Sequence, residues 1–282
     1  RPYLEYTTNP HLSAAEMPVL KLIQSCIDPV NVVLDSAPGT PLANATDSVR
    51  TLNLRDIEAD FTTRGVGRLI AQGDHKQAES FVRKGLRLNP NRVSLYASLG
   101  VTLFYQQKIR EAMDSFHHGL ELDPDNFDCH MGLANAYVTR KSFLKASVHL
   151  QHIVDRNPDF AQSRFLLARA RHRLQQPNQA IESYRETLRV EPEHAAAHGE
   201  LGMLLTQQGK WDEAMSHLRE SIRIDPEVAR PHFVLAKTLH ETNRTRQAIN
   251  HFRTAVRLAP DWALPLNDLA WILATHPDVN LR

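Results

Sequence analysis

The chain has 282 residues, of which 42% are hydrophobic and 23% are charged, and its formal net charge is +1. This length can bury a sizeable core, and the nearly neutral, dispersed charge argues against a phosphate-binding stripe for nucleic acid. No apolar run reaches the roughly 18 to 20 residues that span a bilayer, and no signal-peptide core follows Arg1. We therefore expect a cytoplasmic chain, or the soluble C-terminal part of a membrane protein, that makes no direct membrane insertion.

The first 58 residues differ in pattern from the rest of the chain. The opening stretch, RPYLEYTTNP, carries apolar residues among polar ones and predicts a strand. An amphipathic helix is expected over residues 13–27, because Ser13 and Glu16 form a capping box. A connector rich in Pro, Gly, Ser, Thr and Asn follows, and a second helical stretch then leads to Glu58.

Beyond residue 58 the chain repeats with a period of 34 residues. The residue before each periodic proline is pushed out of the α region, so a helix is expected to end there, and the proline then suits the first turn of the next helix. An alanine stands twelve residues before each proline and predicts a close helix crossing. The prolines are Pro90, Pro124, Pro158, Pro192, Pro226 and Pro260, and the alanines are Ala78, Ala112, Ala146, Ala180, Ala214 and Ala248.

Each unit therefore predicts two helices joined by a short turn. A large-small pair such as Leu99-Gly100 lies on the first helix, and a large residue such as Phe116 follows the alanine by one helical turn. In the turn QGKWDEA, Gly209 is free to take a positive φ, whereas the turn QQPNQA uses Pro177 instead.

This spacing resembles the tetratricopeptide repeat, a 34-residue helix–turn–helix unit. The resemblance implies an all-α fold, a right-handed α-solenoid of stacked repeats, after a short and partly irregular N-terminal segment over residues 1–58. Residues 263–282 hold the first helix of a seventh repeat, beginning at Leu264, or a capping helix. The six repeats are expected over residues 59–262, as 59–92, 93–126, 127–160, 161–194, 195–228 and 229–262, the first being the most degenerate.

The start of the chain has a resemblance of its own. RPYLEY followed by a helix and a repeat array is similar to the tail of a bacterial spermidine-synthase-like domain fused to tetratricopeptide repeats. The likeness implies a methyltransferase-type catalytic domain before Arg1, in proteins that often carry membrane segments further upstream. It assigns no activity to the residues present here.

No constellation in the sequence predicts catalysis or a cofactor. Nucleophile elbows, Cys/His nucleophile sets and a Walker-type lysine are absent. The glycines of RGVGRLI, residues 64–70, fall inside a predicted helix, and DPDNFD, residues 123–128, lies at an inter-repeat turn where Asp and Asn cap helices. Cys26 and Cys129 lie far apart, which favours a reducing compartment over a disulfide framework.

Fifteen histidines raise a metal hypothesis, which the repeat geometry disfavours. His130, His198 and His232 fall at one position of their units, and such positions lie at least about 8–10 Å apart, whereas zinc ligands converge to about 2 Å of one ion. His149 and His152 could hold a metal together, but the sequence offers no third ligand. We expect these histidines to pack or to be solvated.

The family resemblance also implies where a partner binds. First helices line a concave groove in this family, so we expect a peptide or helix of another protein to lie there; the competing interpretation is that these side chains pack between helices. Aromatic residues, Met and Arg are enriched at interface cores. The expected groove residues are Ala97, Val101, Phe104, Tyr105, Met131, Asn135, Val138, Phe165, Arg169, His172, Arg173, Met203, Gln207, Phe233, Lys237, His240 and Glu241.

Two familiar ligand classes of the family are disfavoured. Chaperone-binding members hold a C-terminal carboxylate with Lys, Asn and Arg at set positions, of which only Asn135 is matched here. The asparagine ladder of the sugar-transferase members is also absent. Arg169 and Arg173, one turn apart, are expected to pair with an acidic peptide side chain.

Three hypotheses about function follow. The first is a non-catalytic scaffold that binds a protein partner in the groove. The second is the regulatory or scaffolding tail of a spermidine-synthase-like enzyme. The third is a module that forms a homo-oligomer through an open C-terminal face.

Overall fold

The computed structural model describes residues 65–276, which belong to one compact unit, Leu52–Arg282. Over these residues all regular structure is helical, in thirteen helices, and no strand occurs. The predicted opening strand, the helix over residues 13–27 and the stretch that resembles a spermidine-synthase tail lie outside the described residues.

The first twelve helices come in six consecutive pairs, and the thirteenth follows them as a single helix within the described residues. Odd-numbered helices are the first helices of their units and even-numbered helices are the second helices. They are α1 (residues 65–71), α2 (His75–Leu88), α3 (Val93–Tyr105), α4 (Ile109–Leu122), α5 (Phe127–Thr139), α6 (Phe143–Arg156), α7 (Ala161–Arg173), α8 (Pro177–Val190), α9 (Ala195–Gln207), α10 (Trp211–Ile224), α11 (Ala229–Glu241), α12 (Thr245–Leu258) and α13 (Ala263–Thr275).

The periodic prolines end helices but do not begin them. Asp123, the residue before Pro124, is extended, with φ −141° and ψ 94°, as the steric clash with a following proline requires. The next helix begins only at Phe127, after Asn126 has capped it by accepting a hydrogen bond from the Cys129 amide at 3.1 Å. The prediction that the prolines form the first turn of the next helix is therefore wrong.

Close helix crossings are confirmed at the positions where small residues recur. All six periodic alanines are fully buried. A Cβ atom at Gly100 would fall against the Phe116 ring, and one at Gly202 would lie 2.6 Å from Leu218 Cγ. Larger side chains there would force the two helices of a unit apart.

The turn inside every unit contains one residue in the left-handed region. Gly209 has φ 72°, as predicted, and Gly73 at the equivalent position has φ 78°. The expectation that Pro177 takes over this task is wrong, because Gln175 has φ 59° while Pro177 begins α8. Among the described residues, the non-glycine residues with positive φ are Gln107, Lys141, Gln175 and Asn243, and together with Gly73 and Gly209 they follow one another every 34 residues.

The stacking of the units places the first helices on the inner side of the array. α3 contacts α5 and α9 contacts α11, whereas no two second helices within residues 65–276 approach each other as closely. Buried side chains form a series of clusters along the array, each drawn from neighbouring units. None of the described helices is long and apolar enough to cross a membrane.

Candidate binding surface on the first helices

Most of the predicted groove residues keep contact with solvent. We call their side chains on α3, α5, α7, α9 and α11 the inner surface. Ala97, Phe165 and Phe233 are buried. The exposed members are Tyr105, Asn135, Val138, Arg169, Arg173, Gln207, Lys237 and Glu241, and the half-buried members are Val101, Phe104, Met131, His172, Met203 and His240.

Phe165 and Phe233 support the inner surface from below. Their side chains are only 7% and 9% exposed. The guanidinium carbon of Arg169 lies 5.8 Å from the Phe165 ring centroid, and Lys237 Nζ lies 5.7 Å from that of Phe233. Each ring therefore holds a cation above it by a cation–π contact, and the cation is the part that a partner can reach.

One end of the inner surface is aromatic. Tyr105 is 54% exposed, and its ring packs edge-on against Phe104 with centroids 6.2 Å apart. The ring of His75 stacks on Tyr105 at 5.6 Å, with 8° between the planes. An exposed tyrosine held rigid by two neighbours is a suitable anchor for a partner.

The other end carries a tryptophan that the sequence reasoning missed. Trp271 on α13 is 61% exposed, and its ring meets His240 edge-on at 6.2 Å. The repeat phase contained the signal, because Trp271 stands 34 residues after Lys237. It therefore extends the inner surface by one unit.

The middle of the inner surface is positively charged. Arg169 and Arg173 lie one turn apart on α7, and the guanidinium carbon of Arg173 lies 6.0 Å from the Phe143 ring centroid. Arg230 on α11 reaches back to Glu200 on α9 at 3.2 Å. These residues bring three units together at one place.

A phenol lies at the base of this charged region. Tyr184 is fully buried, and its hydroxyl has no hydrogen-bond partner among the described residues. Burial raises the pKa of Tyr184, and the nearby Glu200 carboxylate adds to the shift, while the Arg169 guanidinium opposes it. Burial also lowers the pKa of His172, against the effect of Glu200.

The three histidines that share a repeat position do not share a metal. Each pairs with a histidine of its own unit, nineteen residues further on. No group of three or more metal-binding side chains converges anywhere in residues 65–276. The Nδ1 atoms are separated by 2.9 Å in His130–His149, 2.9 Å in His198–His217 and 3.1 Å in His232–His251.

The hydrogen bonds of these pairs define the tautomers. Nε2 of His130 lies 2.9 Å from the carbonyl oxygen of Pro124 and must donate to it. Its Nδ1 therefore accepts the proton carried by Nδ1 of His149. The other two pairs repeat this arrangement with the carbonyls of Pro192 and Pro226. The partners His149, His217 and His251 also recur in phase with the repeat, but the sequence did not show that they bond to the first histidines.

His152 joins the first pair without forming a ligand set. Its ring stacks on that of His130, with centroids 3.9 Å apart and 19° between the planes. Stacked rings direct their nitrogens sideways, so these atoms do not converge on one point. His152 Nε2 instead faces Asp125 at 3.3 Å.

A separate cleft of about 510 Å³ lies between α6, α7 and α8. Exposed Leu144 and Val148 form part of its lining. Arg171 crosses it to bond Ser183 Oγ at 2.6 Å and Gln151 Oε1 at 2.8 Å. Ser147 Oγ in its lining donates to the Leu144 carbonyl at 2.7 Å, and Gln151 Nε2 donates to Asp155 Oδ1 at 2.7 Å.

Family models for the tetratricopeptide repeat match residues 103–171, 165–229 and 205–267. Together these matches cover more than half of the chain and follow the helix pairs described above. The chain belongs to the tetratricopeptide repeat family. The family matches begin at residue 103, so they give no support to the spermidine-synthase likeness of the first residues.

Several solved structures share the fold, among them YrrB, which is described as a tetratricopeptide repeat protein. PilF of Pseudomonas aeruginosa is 18% identical, with a TM-score of 0.70 over 77% of this chain and 99% of that one. YrrB, described as having an unusual peptide-binding site, is 20% identical, with a TM-score of 0.58 over 66% of this chain and 96% of that one. MamA is 19% identical, with a TM-score of 0.56 over 61% and 93% of the two chains. No curated protein sequence matches this chain.

Proposed function

We propose that this chain binds a segment of another protein along the inner surface and carries out no catalysis itself. The observation that supports this most directly is the run of accessible aromatic, apolar and basic side chains on successive first helices, from Tyr105 to Trp271. Neighbouring positions on the same helices, such as Leu103 and Leu239, are fully buried. Tyr105, Val138 and Trp271 belong to none of the buried clusters, whereas Val101, Phe104 and Met131 pack against them with part of their surface.

The fold family supports the same proposal. YrrB has the same fold and is described as having a peptide-binding site. A curved array with one face formed by first helices offers a long surface on which an extended or helical segment can lie. Aromatic residues, Met and Arg, which this surface contains, are the types that most often dominate binding energy.

Selection from a displayed library of random peptides, with the whole chain as bait, tests this proposal. A selected peptide is then made synthetically with a fluorescent label and titrated with the chain. Replacing Asn135 and Gln207 by Trp obstructs the inner surface without changing its charge, because both residues are exposed. We expect this variant to weaken binding at least about tenfold, or 1.4 kcal/mol.

The matched control places the same bulk on a second helix. Gln247 and Asn250 are exposed on α12, and their replacement by Trp should leave the affinity unchanged. If the α12 variant weakens binding as much as the inner-surface variant, or if neither weakens it, the partner lies elsewhere and the proposal fails.

Self-association through α13 is a second candidate function. Leu264 and Leu266 on this helix are 55% and 48% exposed, which leaves apolar side chains that a second copy could cover. Light scattering on the purified chain should then show a dimer that the double substitution Leu264→Glu and Leu266→Glu converts to a monomer. A monomer at high concentration before substitution excludes this candidate.

A further inference from the structure

Arg169 and Arg173 contact aromatic rings, whereas several other arginines of the array form ion pairs with carboxylates. Each guanidinium rests on an aromatic ring, and no carboxylate among the described residues pairs with either one. Arginines on second helices are often paired, as Arg185 is with Glu213 at 2.6 Å and Arg223 with Glu193 at 2.6 Å. The fold thus leaves two fixed cations on the inner surface without a counterion.

Nearby acidic groups do not neutralise this region. Glu200 is the nearest candidate, but it is engaged by Arg230 at 3.2 Å. A second nitrogen of that guanidinium lies 3.0 Å from Met203 Sδ, which places Arg230 along the same surface. With Lys237 above Phe233, the region formed by α7, α9 and α11 has a positive balance.

The buried phenol below supports the same conclusion. The Tyr184 ring packs against Phe165, with centroids 5.8 Å apart, and Phe165 holds the Arg169 guanidinium over its own ring, so the phenol lies close to this region. The hydroxyl is a donor with no acceptor in the described part of the chain. Negative charge placed above it would improve the surroundings of both the guanidinium groups and the hydroxyl dipole.

We propose that the partner segment is acidic and that two of its carboxylates pair with Arg169 and Arg173. This inference rests on the proposed function and adds the chemistry of the partner. The two arginines are four residues apart on a helix, about 6 Å along its axis. Acidic side chains two residues apart on an extended segment, about 7 Å, or four apart on a helix match that spacing.

A protein segment fits this region better than a nucleic acid. The cations lie within one short section of the array, and Glu200 and Glu241 lie among them. A nucleic-acid backbone needs a longer track of cations. The aromatic ends of the surface, at Tyr105 and Trp271, suit apolar side chains that flank the acidic pair.

The library selection described above tests this inference when it is read for sequence. We expect the selected peptides to be enriched in pairs of Asp or Glu at these spacings. For a labelled peptide of this kind, the double substitution Arg169→Glu and Arg173→Glu should weaken binding by about tenfold to a hundredfold, because charge-assisted pairs become repulsive. Replacing both by Lys should give an intermediate loss, since Lys keeps the charge but loses the bidentate fork.

The control variant changes the same amount of charge outside the inner surface. Arg246 and Arg253 are exposed on α12, and changing both to Glu should leave the affinity within about twofold at physiological salt, where screening is strong. Equal losses in the two charge variants would overturn the inference, since they would show long-range attraction alone. Circular dichroism verifies that each variant is folded.

The remaining outcomes separate the two proposals. Selected peptides that are neutral or basic would overturn the acidic partner. So would a peptide whose binding is lost in the Asn135→Trp, Gln207→Trp variant but kept in the Arg169→Glu, Arg173→Glu variant. In that case the inner surface remains the binding site. A peptide insensitive to both variants overturns the proposed function itself. A labelled oligothymidine that binds as tightly as the peptide, with the same sensitivity to the arginine variant, overturns the acidic protein segment in favour of a nucleic acid.

Discussion

His130, His198 and His232 each use both ring nitrogens in hydrogen bonds, one to a proline carbonyl and one to a second histidine. A neutral pair shares one proton between the two facing Nδ1 atoms. A proton added to His130 goes to its Nδ1, so both facing atoms become donors and the hydrogen bond is replaced by a repulsion, whereas a proton added to Nε2 of His149 keeps the bond but places a positive charge in a partly buried site. The three units repeat this arrangement.

Stability is expected to fall as the pH is lowered through the range in which histidine titrates. Burial, reinforced by the neighbouring His130, lowers the pKa of His149 to about 4 from an ordinary 6.5. Burial also lowers the pKa of His217 and of His251. The unfolded chain takes up these protons first, so the stabilisation is complete above pH 6.5 and is lost as the pH falls towards 4.

Urea unfolding at a series of pH values measures this effect. Changing His149, His217 and His251 to Asn keeps a hydrogen-bond donor that does not titrate, and it should reduce the loss of stability between neutral and mildly acidic pH by at least about 1 kcal/mol. Parallel pH profiles for the wild type and the triple variant would contradict the role given to the pairs.

Tyr184→Phe isolates the unpartnered hydroxyl at the base of the inner surface. The ring is fully buried and packs near Phe165, with centroids 5.8 Å apart, and phenylalanine keeps these contacts. Because the hydroxyl has no partner in the described structure, we expect the free energy of unfolding to stay the same or to rise by about 1 kcal/mol. If chemical denaturation instead shows that the free energy of unfolding falls by more than about 1 kcal/mol, the hydroxyl must form a hydrogen bond in solution.

Among the structural elements, the turns inside the units carry a recurring backbone cost. Lys141 has φ 57°, a conformation that costs a residue with a side chain roughly 1–2 kcal/mol, whereas glycine adopts it freely. Lys141→Gly should therefore raise the free energy of unfolding by about 0.5–1 kcal/mol, after the larger entropy of the unfolded chain is counted. The reverse change, Gly209→Gln, should lower it by a similar amount. Thermal unfolding of both variants gives the comparison, and a decrease for Lys141→Gly would refute it.

The turns also show how far the sequence predicts this structure. Helix pairs, buried alanines and the positive φ of Gly209 were predictable, because each depends on a residue type that recurs in phase. The positive φ of Lys141 could be predicted only from the repeat phase, because Lys141 lies 68 residues from both Gly73 and Gly209, while nothing in a lysine itself indicates that backbone conformation.

For the inner surface, the sequence predicted which residues lie on the first helices but not which of them are buried. The repeat phase was enough to place Arg169 and Lys237 on exposed positions of first helices, and the same phase could have found Trp271. It did not show that Phe165 is buried, because groove and core positions adjoin on one helix. The bond between His130 and His149 depends on rotamers and on the approach of two helices, neither of which a repeat pattern contains.

At the scale of the whole molecule, each repeat unit is stabilised by its contacts with adjacent units. The Phe116 side chain shows how two adjacent units are joined. The Phe116 ring from α4 lies against Gly100 on α3 and Gly132 on α5, where a Cβ atom at either glycine would meet it. A single ring thus fills the space between two helices of its own unit and the first helix of the next. In an array of this kind, each unit is stabilised mainly by the units beside it.

Gly132→Ala is expected to weaken the joint between the second and third units without disturbing the others. The added methyl group would overlap the Phe116 ring, and relieving the overlap should cost about 1–3 kcal/mol. Gly67→Ala is the matched control: Gly67 lies in α1 and a Cβ there meets nothing within 4 Å, so alanine should stabilise its helix by up to about 1 kcal/mol.

Amide hydrogen exchange shows which helices the Gly132→Ala substitution destabilises. With nearest-neighbour stabilisation, the Gly132→Ala variant should lose protection in α3, α4 and α5, whereas α10 to α12 should exchange as in the wild type. Their stabilising contacts, such as Phe252 against Phe233 with centroids 6.0 Å apart, do not involve the altered joint. An equal loss of protection from α3 to α12 would mean that the described helices open as one cooperative body, and the stability of the inner surface would then depend on every unit at once.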